Sequence, residues 1–170
     1  MARQVHKKRA AGLPAPAHVI YEPVATDIHD DGLRRLFQRW QEDLAAGIVA
    51  DAVEILEYPE VAPLMHNLMM LEVIRLPPAN YDYRYRVYGA DIARRHGQDM
   101  TGRLTSELPG NVAGFFAELY ETAVERNCVV HDLHTPPMSM NVTKWERLIL
   151  PLGDPVKWLL VVSIPKAPRR

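Results

Sequence analysis

Apolar residues first recur at helical spacing at Leu33, Leu36, Phe37, Trp40 and Leu44. Arg34, Arg35, Gln38 and Glu42 fill the opposite face, so the pattern predicts an amphipathic helix over 31–46. Asp30 or Asp31 can cap its start and Gly47 suits its end. A second helix is predicted over 59–68, with Pro59 in the first turn and Val61, Leu64, Met65 and Leu68 as the buried stripe. Met65, Met69 and Met70 read as core filler, the ordinary use of an adaptable thioether side chain.

From Met69 onward the period changes from helical to two. Leu71, Val73, Ile74 and Leu76 predict a strand, Pro77, Pro78 and Asn80 a turn, and 81–88 a second, antiparallel strand. In that strand Tyr81, Tyr83, Tyr85 and Val87 share one face, while Asp82, Arg84, Arg86 and Tyr88 share the other. The sequence leaves open which of the two points inward. A short helix over 90–96, a turn punctuated by Gly97 and Gly102 and a long helix over 111–126 follow. Strands over 128–135, 145–152 and 156–164 finish the pattern, the last two joined at Gly153, Asp154 and Pro155.

The 170 residues suit one domain, and 48% hydrophobic with 24% charged residues is an ordinary globular composition. Residues 1–28 contain Pro14, Pro16 and Pro23 with few large apolar side chains, and predict a flexible, solvated arm. The domain proper is expected over 29–165, with a short basic tail at 166–170. No apolar run approaches the length of a membrane span, and the basic start lacks the apolar stretch of a signal peptide. The lone Cys128 has no intramolecular disulfide partner, which favours a reduced, cytoplasmic setting. With 20 Lys and Arg against 21 Asp and Glu there is no general attraction for nucleic acid. The basic residues of the arm lie beside an acidic block, so nucleic-acid binding is disfavoured.

The stretch Tyr85-Arg86-Val87-Tyr88-Gly89-Ala90-Asp91-Ile92 resembles the Y-R-hydrophobic-x-G-x-x-I signature of a compact bacterial group of PAS domains. Residues 97–103, Gly-Gln-Asp-Met-Thr-Gly-Arg, are similar to that group's G-x-D-x-T-G-R turn, and residues 146–152, Glu-Arg-Leu-Ile-Leu-Pro-Leu, to its E-R-x-x-L-P-L strand. The resemblance covers about 31–165. It implies an α+β fold: a five-stranded antiparallel sheet with helices on one face, preceded here by two additional N-terminal helices, and an inner cavity that can hold a small molecule. It also implies a signalling role without catalysis, carried out with a partner protein or as a homodimer.

Haem and flavin are both disfavoured as cofactors, whose identity stays unknown. The long helix has no His for haem, and His96, the nearest candidate, fits a surface position at a helix C-terminus. Cys128 lacks the Asn-Cys-Arg setting that a flavin photosensor of the LOV type requires and reads as a small buried apolar residue. His131 and His134 fall on opposite faces of a strand, which opposes a shared metal ion. The candidate ligand site is therefore Tyr83 and Tyr85 with Arg86, His96, Trp145 and Arg147, ring surface with a few directed donors. Arg86 beside Glu146 or Asp82 reads first as a cross-strand ion pair. Burial of Arg86 or Arg147 without a carboxylate partner would point to an acidic ligand.

Phe37 and Trp40 on the first helix are the candidate anchors of a dimer or partner surface. A rival of another class is a cone-fold α+β isomerase-like enzyme. It requires a pocket carboxyl with raised pKa, for which Asp82, Asp132 and Glu146 are the candidates. The order of strands and helices argues against it.

Overall fold

The computed structural model describes residues 5–8, 17–136 and 142–166. Three α-helices, α1 (Asp31–Ala45), α2 (Ala90–His96) and α3 (Gly110–Arg126), accompany seven strands: β1 (Val5–Lys8), β2 (Ala17–Tyr21), β3 (Leu68–Leu76), β4 (Asn80–Tyr88), β5 (Val130–His134), β6 (Lys144–Leu152) and β7 (Trp158–Lys166). All are antiparallel in one sheet of order β1-β2-β5-β6-β7-β3-β4. The mixed α+β class agrees with the sequence pattern; the expected five strands become seven, because residues 1–28 contribute two.

Both faces of this sheet are covered, which corrects the expectation of helices on one face. On the first face Met69, Leu71, Tyr85, Val130, Trp145, Ile149, Leu159 and Val161 pack with Val112, Leu119, Tyr120 and Ala123 of α3 and Ile92 of α2. On the second, Leu68, Met70, Leu148, Leu150, Leu160 and Val162 pack with Leu33, Leu36 and Phe37 of α1. Burial on both sides explains why the middle of β6 (Leu148, Ile149, Leu150) and of β7 (Leu159, Leu160, Val161, Val162) is continuously apolar. The α1 helix starts as expected, Asp30 Oδ1 accepting from the Gly32 and Leu33 amides.

The helix expected over 59–68 is a 3-10 turn, Ala62–Asn67. Its three-residue period buries Val61 and Leu64 and turns Met65 outward. Gly89 then passes so close to it that a Cβ there would clash with the His66 carbonyl group.

A bulge corrects the two-face assignment of the 81–88 strand. Met69 pairs with Tyr88 and Met70 with Val87, but Leu71 pairs with Tyr85, so Arg86 is the extra residue. Beyond it the alternation reverses. Tyr88 joins Tyr85 on the α3 face, the two rings edge to face with centroids 5.0 Å apart, while Val87 moves to the α1 face.

The second half of the predicted arm is built into the sheet. β2 pairs with β5 from His18↔Leu133 to Tyr21↔Val130, and Val19, Ile20 and Ile28 are buried. Deleting residues 1–25 is expected to remove the buried Val19 and Ile20, to uncover the edge of β5 that pairs with them, and to cost about 3–6 kcal/mol, at about 1.5–3 kcal/mol for each large apolar side chain. Thermal melting of the truncated and full chains checks this, and equal midpoints would show that the added strands contribute no stability.

Candidate functional site

The α3 face of the sheet does not close completely. A cavity of about 40 Å³ lies between the sheet and helices α2 and α3, walled by Met69, Ile92, Leu108 and Phe116 and by the rings of Tyr85, Tyr88, Tyr120 and Trp145. His134, Arg147 and Ser163 bring polar groups to the same space. Register places them: Asp132 is opposite Arg147 and His134 opposite Trp145 across β5 and β6, and Arg147 is opposite Ser163 across β6 and β7.

Arg147 is 1% exposed. Its Nε donates to Asp132 Oδ2 at 2.7 Å, and its guanidinium carbon lies 4.9 Å from the Phe116 ring centre, 5.8 Å from that of Phe115 and 5.9 Å from that of Tyr120. Nη1 and Nη2 are buried and make no hydrogen bond to a described residue. Burial would raise the Asp132 carboxyl, but the positive charge of Arg147 and the hydrogen bond from His134 win and hold it at about 2. Burial lowers the pKa of His134 despite the neighbouring Asp132. The ring is therefore neutral at pH 7. Because the ionised carboxylate can only accept, His134 carries its proton on Nδ1, where it donates to Asp132 Oδ1. Burial raises the phenols of Tyr85 and Tyr88, and that of Tyr120 to about 12, so all three remain donors at neutral pH.

The strand pleat sends Glu146, the neighbour of Arg147, to the opposite face. There its Oε1 accepts from the His29 amide at 2.7 Å, from the Asp30 amide at 3.2 Å and from His131 Nε2 at 3.0 Å, while Oε2 pairs with Lys166 Nζ at 2.6 Å. Burial acts to raise this carboxyl, and these four partners bring it down to about 2. His29, His131 and Glu146 offer metal-type ligand atoms within 4.8 Å of one another. The oxygen they share is already taken by two backbone amides and its partner oxygen by a lysine, so the group is a knot fastening the start of α1 to β6. The two histidines of the 131–134 pair lie on opposite faces, His131 in this knot and His134 at the cavity.

Of the ligand-site residues expected from sequence, Tyr85, Trp145 and Arg147 line the cavity. Tyr83 is buried beside it, its ring edge-on to Tyr120 with centroids 5.2 Å apart. His96 stands behind the wall, its Nδ1 2.9 Å from the Tyr88 hydroxyl. Arg86, the bulge residue, points to solvent and pairs with Glu72 at 2.6 Å, not with Glu146 or Asp82. Tyr88, Tyr120, Phe116, His134 and Ser163 escaped the sequence reading. Parity along β5, which sets His134 and Asp132 on the face of Val130, is the signal that finds His134.

Phe37 is 1% exposed and packs against the sheet, which removes it from any dimer surface of this chain as folded. Trp40 is half-buried, stacked on Phe37 with ring centroids 6.4 Å apart. Cys128 is buried. The pocket acid required by the isomerase rival is not supplied by its candidates. Asp132 and Glu146 are shifted down rather than up, and Asp82 sits outside the cavity wall, bonded to the Tyr83 and Ser106 amides and the Thr105 and Ser106 hydroxyls.

Comparison with protein-family models, with curated proteins and with solved structures finds no match to this chain.

Proposed function

We propose that the chain is a PAS-like sensory or adaptor module that takes a small molecule into the cavity beneath α2 and α3 and passes its ligand state to a partner protein or to a second copy of itself. The observation that carries this reading is the cavity itself. It is lined mainly by rings and aliphatic side chains and holds one buried guanidinium whose terminal nitrogens are unfilled, the usual make-up of a small-molecule site. Three further features support it. The PAS-type motifs fall on β4 and the start of α2, on the turn after α2, and on β6, elements that border the cavity or lead into it. From β3 onward the chain order, two strands, helices and three strands, is that of the resemblance. The cavity walls also come from separate elements, so a guest contacts α2, α3 and the sheet together.

Methyl-labelled NMR tests the proposal directly. A small-fragment set of acids, amides, alcohols and heteroaromatics is expected to include members that shift the methyl signals of Met69, Ile92 and Leu108 while leaving those of Leu33, Leu36 and Leu160 in place. Fragments that shift no cavity methyl, or that act only on the α1 face, overturn it.

A further inference from the structure

We infer that the guest of this cavity is a small monocarboxylic acid, held as its carboxylate by Nη1 and Nη2 of Arg147 with its apolar part against Met69, Ile92 and Leu108. The inference rests on the reading of the cavity as a ligand site and specifies what that site selects.

Arg147 is buried with a carboxylate partner, Asp132, so the condition set from sequence, burial without one, is not met. What points to a ligand is instead the part of the fork that Asp132 leaves unused, since a guanidinium has five N–H donors and Nε–H alone is spent on Asp132. The other four, on Nη1 and Nη2, are buried without a partner among the described residues although the side chain is 1% exposed. Unfilled donors on a buried charge are costly, so the site is built for an acceptor that comes from elsewhere. What surrounds the fork narrows the choice. Phe115 and Phe116 contact its faces as rings, and Tyr120 lies beside it with its hydroxyl near enough to interact with the guanidinium but not at hydrogen-bond length. His134 uses its proton on Asp132, and Glu146 points away through the sheet. Among the described residues no Asp or Glu lines the cavity.

The two terminal nitrogens lie in one plane at the spacing of two carboxylate oxygens, and charge-assisted bonds of this kind are about twice as strong as neutral ones. A neutral carbonyl brings one oxygen to four donors and fills the fork poorly. Asp132 already balances the charge of Arg147, so a phosphate dianion would bury two uncompensated negative charges where a carboxylate buries one. A cavity of about 40 Å³ with aliphatic far walls suits a compact tail of about one or two carbons and excludes a ring.

Matched acid and amide pairs at constant ionic strength test this: acetate and acetamide, propionate and propionamide, butyrate and butyramide. An acid at about 100 times its Kd is expected to raise the melting temperature of the wild-type chain by about 5–10 °C and to shift the cavity methyl signals, its amide doing neither at equal concentration. Arg147→Lys, which keeps the charge but loses the fork, is expected to weaken acid binding at least about tenfold. Removing Arg147 alone strands Asp132, so the double variant Asp132→Asn with Arg147→Met serves as the neutral control, and there acid and amide should no longer be distinguished. An amide that binds as tightly as its acid, or an acid effect that persists in the double variant, overturns the carboxylate while leaving the ligand site standing. Acids, amides and neutral fragments that all fail to move the cavity methyl signals overturn the site itself.

Discussion

Asp132→Ala is expected to lower the unfolding free energy by about 3–5 kcal/mol, the cost of leaving one member of a buried ion pair without its partner. Asp132 is the carboxylate that meets Arg147, and both side chains lie almost wholly out of water. The variant also frees the Nδ1 proton of His134 into an apolar corner lined by Phe115 and Phe116. Urea unfolding gives the measurement. The double variant Asp132→Ala with Arg147→Met should lose less than the single one, because a pair removed together leaves no stranded charge. Glu72→Ala, which breaks the exposed pair with Arg86, should cost under about 1 kcal/mol. A loss of that small size in Asp132→Ala would show that Arg147 finds another acceptor once its carboxylate is gone.

Acid is expected to act on the same groups together. Asp132 and Glu146 have folded pKa values of about 2, below their ordinary 3.8 and 4.5. A carboxyl lowered in the folded state stabilises it above the unfolded pKa, and that stabilisation disappears as pH falls toward the folded value. At 1.36 kcal/mol per unit each group contributes about 2–3 kcal/mol at pH 7, lost between about pH 5 and pH 2. His134 has the same sign: its pKa lies below 6.5 when folded, so its neutral form is favoured and the loss begins as pH drops below that value. Urea midpoints should fall slightly from pH 7.5 to 5.5 and steeply from 5 to 3. Midpoints unchanged down to pH 3 would mean that neither carboxylate is held as the geometry describes.

The elements of this fold were legible wherever one face of a repeating pattern is buried. The α1 stripe, the β3–β4 pair and α3 read from periodicity because Leu36, Tyr85 and Leu119 each face a core, whereas β6 and β7, buried on both faces, read as short continuous apolar runs bounded by turn residues. β2 was not legible. Its Val19 and Ile20 are two apolar residues among prolines and polar residues, and their burial comes from pairing with β5, more than a hundred residues away. The bulge at Arg86 was also hidden, since strict alternation holds until one residue drops out of register, and only the partner strand determines where. At the site, Arg147, Trp145 and Tyr85 were found through residue type. His134 and Asp132 needed the β5–β6 register, which turns separate polar residues into one bonded group, and Tyr88 needed the bulge.

The place of β7 in the sheet has a consequence for the order in which the chain can fold. It lies between β6 and β3, so the last strand in sequence is the one that joins the two halves. A chain emerging from the ribosome can form the β3–β4 hairpin and the β5–β6 pair early, yet each half must wait with one long apolar edge unpaired until residues 158–166 arrive. Folding of the whole sheet is then a late event governed by a contact between segments about ninety residues apart. Until it occurs, the exposed edges of β3 and β6 are where one unfinished chain can pair with another.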